Sequence, residues 1–93
     1  MIIIAGYVLT EGDKRDAAVA AFADMIGQAR KQDGCLDLSI SADPVDPARI
    51  NLFECWRDQP SLDVWRRVAK GPRVKRRATH VSLYRSDKAE KPF

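Results

Sequence analysis

The stretch IIIAGYVL, Ile2 to Leu9, decides what kind of molecule this is. It is too short and too β-branched for a free-standing helix, so it reads as a strand. Ile2, Ile4 and Val8 fall on one face and Ile3, Ala5, Tyr7 and Leu9 on the other. Both faces are apolar, and a strand of that kind is covered on both sides. Whatever surrounds it must supply two layers.

Working outward, Thr10-Glu11-Gly12 makes an exit turn. Asp13 then offers an N-cap, with Asp16 placed where the helix dipole favours an acid. Ala17, Ala18, Ala21, Phe22, Met25, Ile26 and Ala29 follow helical spacing, Arg15, Asp24, Gln28, Lys31 and Gln32 point outward, and Gly34 supplies a left-handed stop. CLDLSISA (35–42) alternates Leu36, Leu38 and Ile40 against Asp37, Ser39 and Ser41, which is a half-buried strand. Two Asp-Pro steps in DPVDPAR (43–49) turn the chain into a third strand, Ile50 to Trp56. Pairing of these two strands brings Cys35 and Cys55 roughly opposite one another. Asp58 caps a second helix with Pro60 in its first turn, where a missing N–H is harmless. Leu62, Trp65, Val68 and Ala69 form its apolar stripe, Gly71-Pro72 ends it, and Thr79 to Arg85 is the last strand.

The order β-α-β-β-α-β predicts an α+β, ferredoxin-like fold: a four-stranded antiparallel sheet with two helices on one face. Residues 1–86 form the domain and 87–93 a polar C-terminal tail. Two helices cover one face only, so the pattern calls for a second copy on the other, a homodimer through the sheet face.

Ninety-three residues make one small domain, burying about 60–65% of its extended surface. MIIIAGYVL is about half the length of a membrane span, and no basic residue precedes it as in an export signal, so a cytoplasmic protein with reduced thiols is expected. The two cysteines and single histidine lack metal-ligand spacing. Charge is uneven: residues 1–65 carry net −5 and residues 66–93 net +8, with seven Lys/Arg between Arg66 and Arg77. Such a block raises nucleic acid or a membrane surface as partner. It lacks the interleaved aromatics of single-strand binders and matches no recognition motif, so neither is expected, and a solvated helix face is the plainer reading.

G-C-L at 34–36, D-P-x-D-P at 43–47 and F-E-C-W-R-D at 53–58 resemble the antibiotic biosynthesis monooxygenase family. The resemblance covers Ile2 to Arg85 and implies a dimeric α+β barrel. The haem-degrading branch of that family resembles this chain at A-x-x-x-L-T (5–10) and at D-x-W in the second helix, which places Trp65 on its helical Trp; its Asn would fall at Tyr7 and its iron-ligating His near Lys75, and neither is present, so haem is not expected. The resemblance to the cofactor-free branch implies a monooxygenase oxidising a small phenolic, quinol or polyketide-like aromatic compound with O2, no cofactor and no metal. On that reading the catalytic candidates are His80 as base, Arg85 as oxyanion stabiliser and Trp65 as pocket wall. Trp65, Tyr7, Asn51 and Phe22 are the candidate substrate contacts. Glu54, the polar residue in an apolar strand, is either a carboxylate paired with Arg57 or Arg49 or a second candidate base. The alternative is a non-catalytic dimer of the same fold that binds a small ligand.

Overall fold

The computed structural model describes residues 1–93. Four strands, β1 (Ile2–Leu9), β2 (Cys35–Ala42), β3 (Arg49–Trp56) and β4 (Ala78–Arg85), form one antiparallel sheet in the order β2-β3-β1-β4. The helices are α1 (Arg15–Ala21), α2 (Ala23–Arg30) and α3 (Gln59–Val68). This is the ferredoxin-like α+β arrangement the sequence predicts, with one helix delivered in two pieces.

The register assigns every strand residue to a face. Ile2, Ile4, Gly6 and Val8 of β1 stand beside Trp56, Glu54, Leu52 and Ile50 of β3, and Leu38 and Ile40 of β2 continue the row. This face meets the helices: Ile2, Ile4, Leu38, Ile40, Ile50 and Trp56 form one buried cluster with Ala29, Leu62 and Trp65. Trp56 and Leu62 are wholly enclosed, each worth about 2–3 kcal/mol relative to exposure. Trp56 of the sheet and Trp65 of α3 stack with ring centres 6.1 Å apart and planes 23° apart. The tryptophan of the strand end is therefore core, and it fixes where α3 lies.

Gly6 has φ +149°, and a Cβ there would run into the carbonyl oxygen of His80 on β4. The centre of β1 is thus a glycine because its neighbour's backbone occupies the side-chain position. Gly34, at φ +83°, is left-handed as expected, and a Cβ on it would strike Ser61 of α3.

Four local expectations need correction. The first helix does not run unbroken from Asp13; α1 starts after Lys14 with no side-chain cap, and the chain tightens at Phe22, whose N–H donates to Val19 O at 3.1 Å. Ala17 and Ala21 are exposed, whereas Arg15 turns inward. Its Nη1 donates to the carbonyls of Asp43, Asp46 and Arg49 at 3.0, 2.8 and 3.2 Å, which ties the Asp-Pro loop to the start of α1. Leu36 does not share the inner face with Leu38 and Ile40. A register shift between Cys35 and Asp37 puts it in a bulge, 58% exposed. The same shift sets Cys35 beside Trp56 on the inner face and Cys55 on the outer, so the two remain free thiols. Burial raises both above the ordinary thiol range, Cys35 further through Asp37 and Glu54.

Two acids hold junctions together. Asp58 caps α3 through the Ser61 N–H at 2.9 Å, and hydrogen bonding by Ser61, aided by Arg57, lowers its carboxyl to about 2. Asp43 accepts from the backbone N–H of Asp46 and Val45 and from Asn51 Nδ2, and is also lowered to about 2. A carboxyl whose folded-state pKa is lowered stabilises the fold above its unfolded value, near 3.8, and that stabilisation is lost as pH falls through the folded value. Urea denaturation should therefore show stability falling between pH 4 and pH 2. Asp43→Asn and Asp58→Asn, which keep an acceptor but cannot ionise, should flatten that decline.

Candidate functional site

Between α2 and the irregular segment 69–77 that follows α3, the sheet is not in contact with helix, and a cavity of about 330 Å³ opens. Its floor is Val8, Ile40, Ile50 and Leu52, all on the inner face. Phe22 and Met25 form the wall on the helical side, while Gly71, Pro72 and Val74 close the other. Gly71 is packed so near that a Cβ would come 2.9 Å from Met25 Sδ. Phe22 reaches the cavity because the helix breaks there: the residue that interrupts the helical ladder is the one facing the floor.

Two charged side chains enter this apolar space, Glu54 from β3 and Arg76 from the closing segment. Glu54 Oε1 accepts from Trp56 Nε1 at 3.1 Å, two residues along the same strand and on the same face. Neither arginine considered as its partner approaches it. Arg57 instead binds Asp33, Asp58 and Ser61, and Arg49 binds Asn51 and Asp43. The second carboxylate oxygen of Glu54 has no partner within the chain, which leaves it free to accept from a ligand.

The six side chains singled out in the sequence are distributed over four places. Phe22 lines the cavity. Trp65 is 5% exposed in the core and borders a separate hollow of about 480 Å³ on α2 and α3, which shares Met25 with the cavity wall. Arg85 lies exposed at the end of β4 and donates from Nη2 to Gln59 Oε1 at 2.9 Å. Asn51, Tyr7 and His80 form one row across β3, β1 and β4 on the open face of the sheet, opposite the cavity. There the Tyr7 ring stacks on His80, centres 4.9 Å apart, and the Arg49 guanidinium sits 3.8 Å from its centroid. The Asn51 amide is satisfied on both sides, accepting from Arg49 Nε at 2.7 Å and donating to Asp43 at 2.9 Å. Among the cavity residues that the sequence did not single out for a site are Met25 and Arg76. Met25 stood on the predicted helical stripe and Arg76 inside the basic block, where nothing marked one arginine from six other cations. Nowhere in the chain do three His, Cys, Asp or Glu side chains converge as metal ligands would.

Because Trp56 is fully enclosed, removing the acceptor of its N–H strands a buried donor, at about 1–3 kcal/mol. Glu54→Ala should lower stability by that amount in a urea melt followed by tryptophan fluorescence. Glu54→Gln, which keeps an acceptor oxygen at the same reach, should retain most of it.

The family model for antibiotic biosynthesis monooxygenases matches residues 1–70, three quarters of the chain and all of the cavity's floor and helical wall. An uncharacterized protein of Synechocystis is 29% identical over 62 residues; that stretch is 67% of this chain, which spans only 42% of the relative's length. A conserved protein of Methanosarcina mazei superposes with a TM-score of 0.74 at 18% identity, covering 92% of each chain. A Deinococcus radiodurans protein named for the monooxygenase family gives 0.73 at 15% identity, covering 100% of this chain and 99% of its own. At these identities the structural likeness speaks for the fold, and the sequence match speaks for descent. The chain belongs to the antibiotic biosynthesis monooxygenase family.

Proposed function

We propose that this chain is a monooxygenase acting on a hydroxyl-bearing ring compound, a phenol or hydroquinone, held in the cavity between sheet and helices. One observation carries the reading: a single carboxylate with a free oxygen opens into a space lined by eleven residues, seven of them hydrophobic. Apolar walls take a ring and exclude water, while the carboxylate selects a ring that donates. With Oε1 held by Trp56, the other oxygen of Glu54 accepts the proton of the substrate hydroxyl. Arg76 stabilises the oxyanion that forms.

The ring anion then transfers an electron to O2, and the resulting pair combines to form a C–O bond. Cleavage of the O–O bond leaves one oxygen atom on the ring and releases the other as water. For a hydroquinone the product is the hydroxyquinone, and the substrate itself supplies all the electrons, so the balance needs no external reductant. His80 and Arg85 take no chemical step in this scheme, and Trp65 supports the wall through Met25. Oxygen uptake measured with a panel of hydroquinones and naphthols should be lowered about 100-fold or more in kcat by Glu54→Gln. Phe22→Ala should act mainly on KM. Saturable ligand binding without oxygen uptake for every compound would leave the binding function and remove the catalytic one.

The open sheet face is assigned to a second copy of the chain. Ile3, Ala5, Leu9 and Phe53 lie there with the Tyr7–His80 pair and Tyr84, which is 55% exposed. Four strands of eight residues span about 19 by 26 Å, near 500 Å² on each copy and so about 1,000 Å² in all, the lower bound for a specific interface. A face of alternating small and aromatic residues can pack on itself about a two-fold axis. Sedimentation at micromolar concentration should give a dimer, and Phe53→Glu should dissociate it; a stable single chain in the unaltered protein removes this assignment.

A further inference from the structure

The segment that closes the cavity also forms one side of a second hollow, about 280 Å³, open to solvent. Thr10, Glu11, Lys14 and Ala18 form its other side, and Arg73, Val74 and Lys75 face them. Val74 lines both spaces, so the apolar cavity and a cationic vestibule adjoin at that residue. Lys14 is paired with Glu11 at 3.3 Å on the surface. Arg73, Lys75 and Arg76 have no acid partner and no side-chain hydrogen bond within the chain, and no acid occurs between Asp63 and Asp87. Of these, Arg73 and Lys75 face the vestibule; two unpaired cations in three residues repel one another, and a bound anion relieves that repulsion.

The two ends of the combined space differ chemically. Val8 and Ile50 pair beside Thr10, whose N–H donates to Ala48 O at 2.8 Å, which places the vestibule at this end of the sheet. Glu54 is four residues further along β3, about 13 Å away. We propose that the vestibule binds the anionic head, a carboxylate, sulfate or phosphate, of a ligand whose apolar body fills the cavity and whose hydroxyl reaches Glu54. This rests on the cavity reading above and narrows it to elongated ring compounds with an acidic group opposite the hydroxyl. A free oligoanion or a nucleic-acid backbone would use the cations without needing the cavity.

The test compares 4′-hydroxybiphenyl-4-carboxylate with its methyl ester by calorimetric titration of the intact protein, at about 20 and about 200 mM salt. The acid should bind at least about tenfold more tightly at low salt, and the difference should shrink at high salt. Arg73→Gln with Lys75→Gln, neither within the cavity, should bring the acid down to the affinity of the ester and leave the ester unchanged. Circular dichroism of that variant confirms its fold. Equal affinity of acid and ester in the unaltered protein overturns the vestibule while the cavity reading stands; failure of both compounds to bind overturns both. A preference for the acid that survives the double substitution also overturns the assignment. So does duplex DNA that binds more tightly than the acid and is released by the same substitutions.

Discussion

A sheet has two faces, and this chain has helix enough for one. That constraint follows from β1, which is central in the order β2-β3-β1-β4 and apolar on both sides. Its inner side is sealed by the stack of Trp56 on Trp65, which pins α3 over one end of the sheet while Ala29 brings α2 down on the other strands. Its outer side keeps Ile3, Ala5 and Leu9 only half-buried. The inner face therefore holds both the core and the cavity, and the residues that look outward form a continuous surface of another kind.

The cavity exists because helical cover runs out. The first helix breaks at Phe22, α3 stops at Val68, and the nine residues before β4 adopt no regular structure. An irregular segment over a sheet cannot pack as densely as a helix, since its backbone groups must be satisfied and its side chains do not present one stripe. The space left over lies above Val8, Ile50 and Leu52, and the carboxylate of Glu54 enters it from the same strand that supplies the buried Trp56. Core and cavity share a strand, so the indole that anchors the fold also holds the carboxylate that enters the cavity.

Most of this architecture was legible in the sequence because strands of eight residues with β-branched runs, an Asp-capped helix and Asp-Pro turns are local signals. What was not legible depends on partners distant in sequence. Leu36 alternates properly with Leu38 and Ile40, and only the register against β3 reveals the bulge that ejects it. Arg15 reads as a surface cation until the carbonyls of residues 43–49 are seen around it. Tyr7, Asn51 and His80 were separate candidates in the sequence; only the register makes them neighbours, and the parity of the whole sheet puts them on the face away from the helices. Glu54 was visible as the polar residue among apolar ones; its donor turned out to be an indole two positions away rather than an arginine.

The bulge at Leu36 has one more effect. β2 is an edge strand, and a regular edge with bare N–H and C=O groups invites another strand to dock along it. An extra residue near its start breaks the repeat and increases the local twist, so an incoming strand would find matching groups over only part of the length. Lateral growth into ribbons or fibrils is thereby discouraged at this rim, while stacking through the flat surface of the sheet is left unhindered.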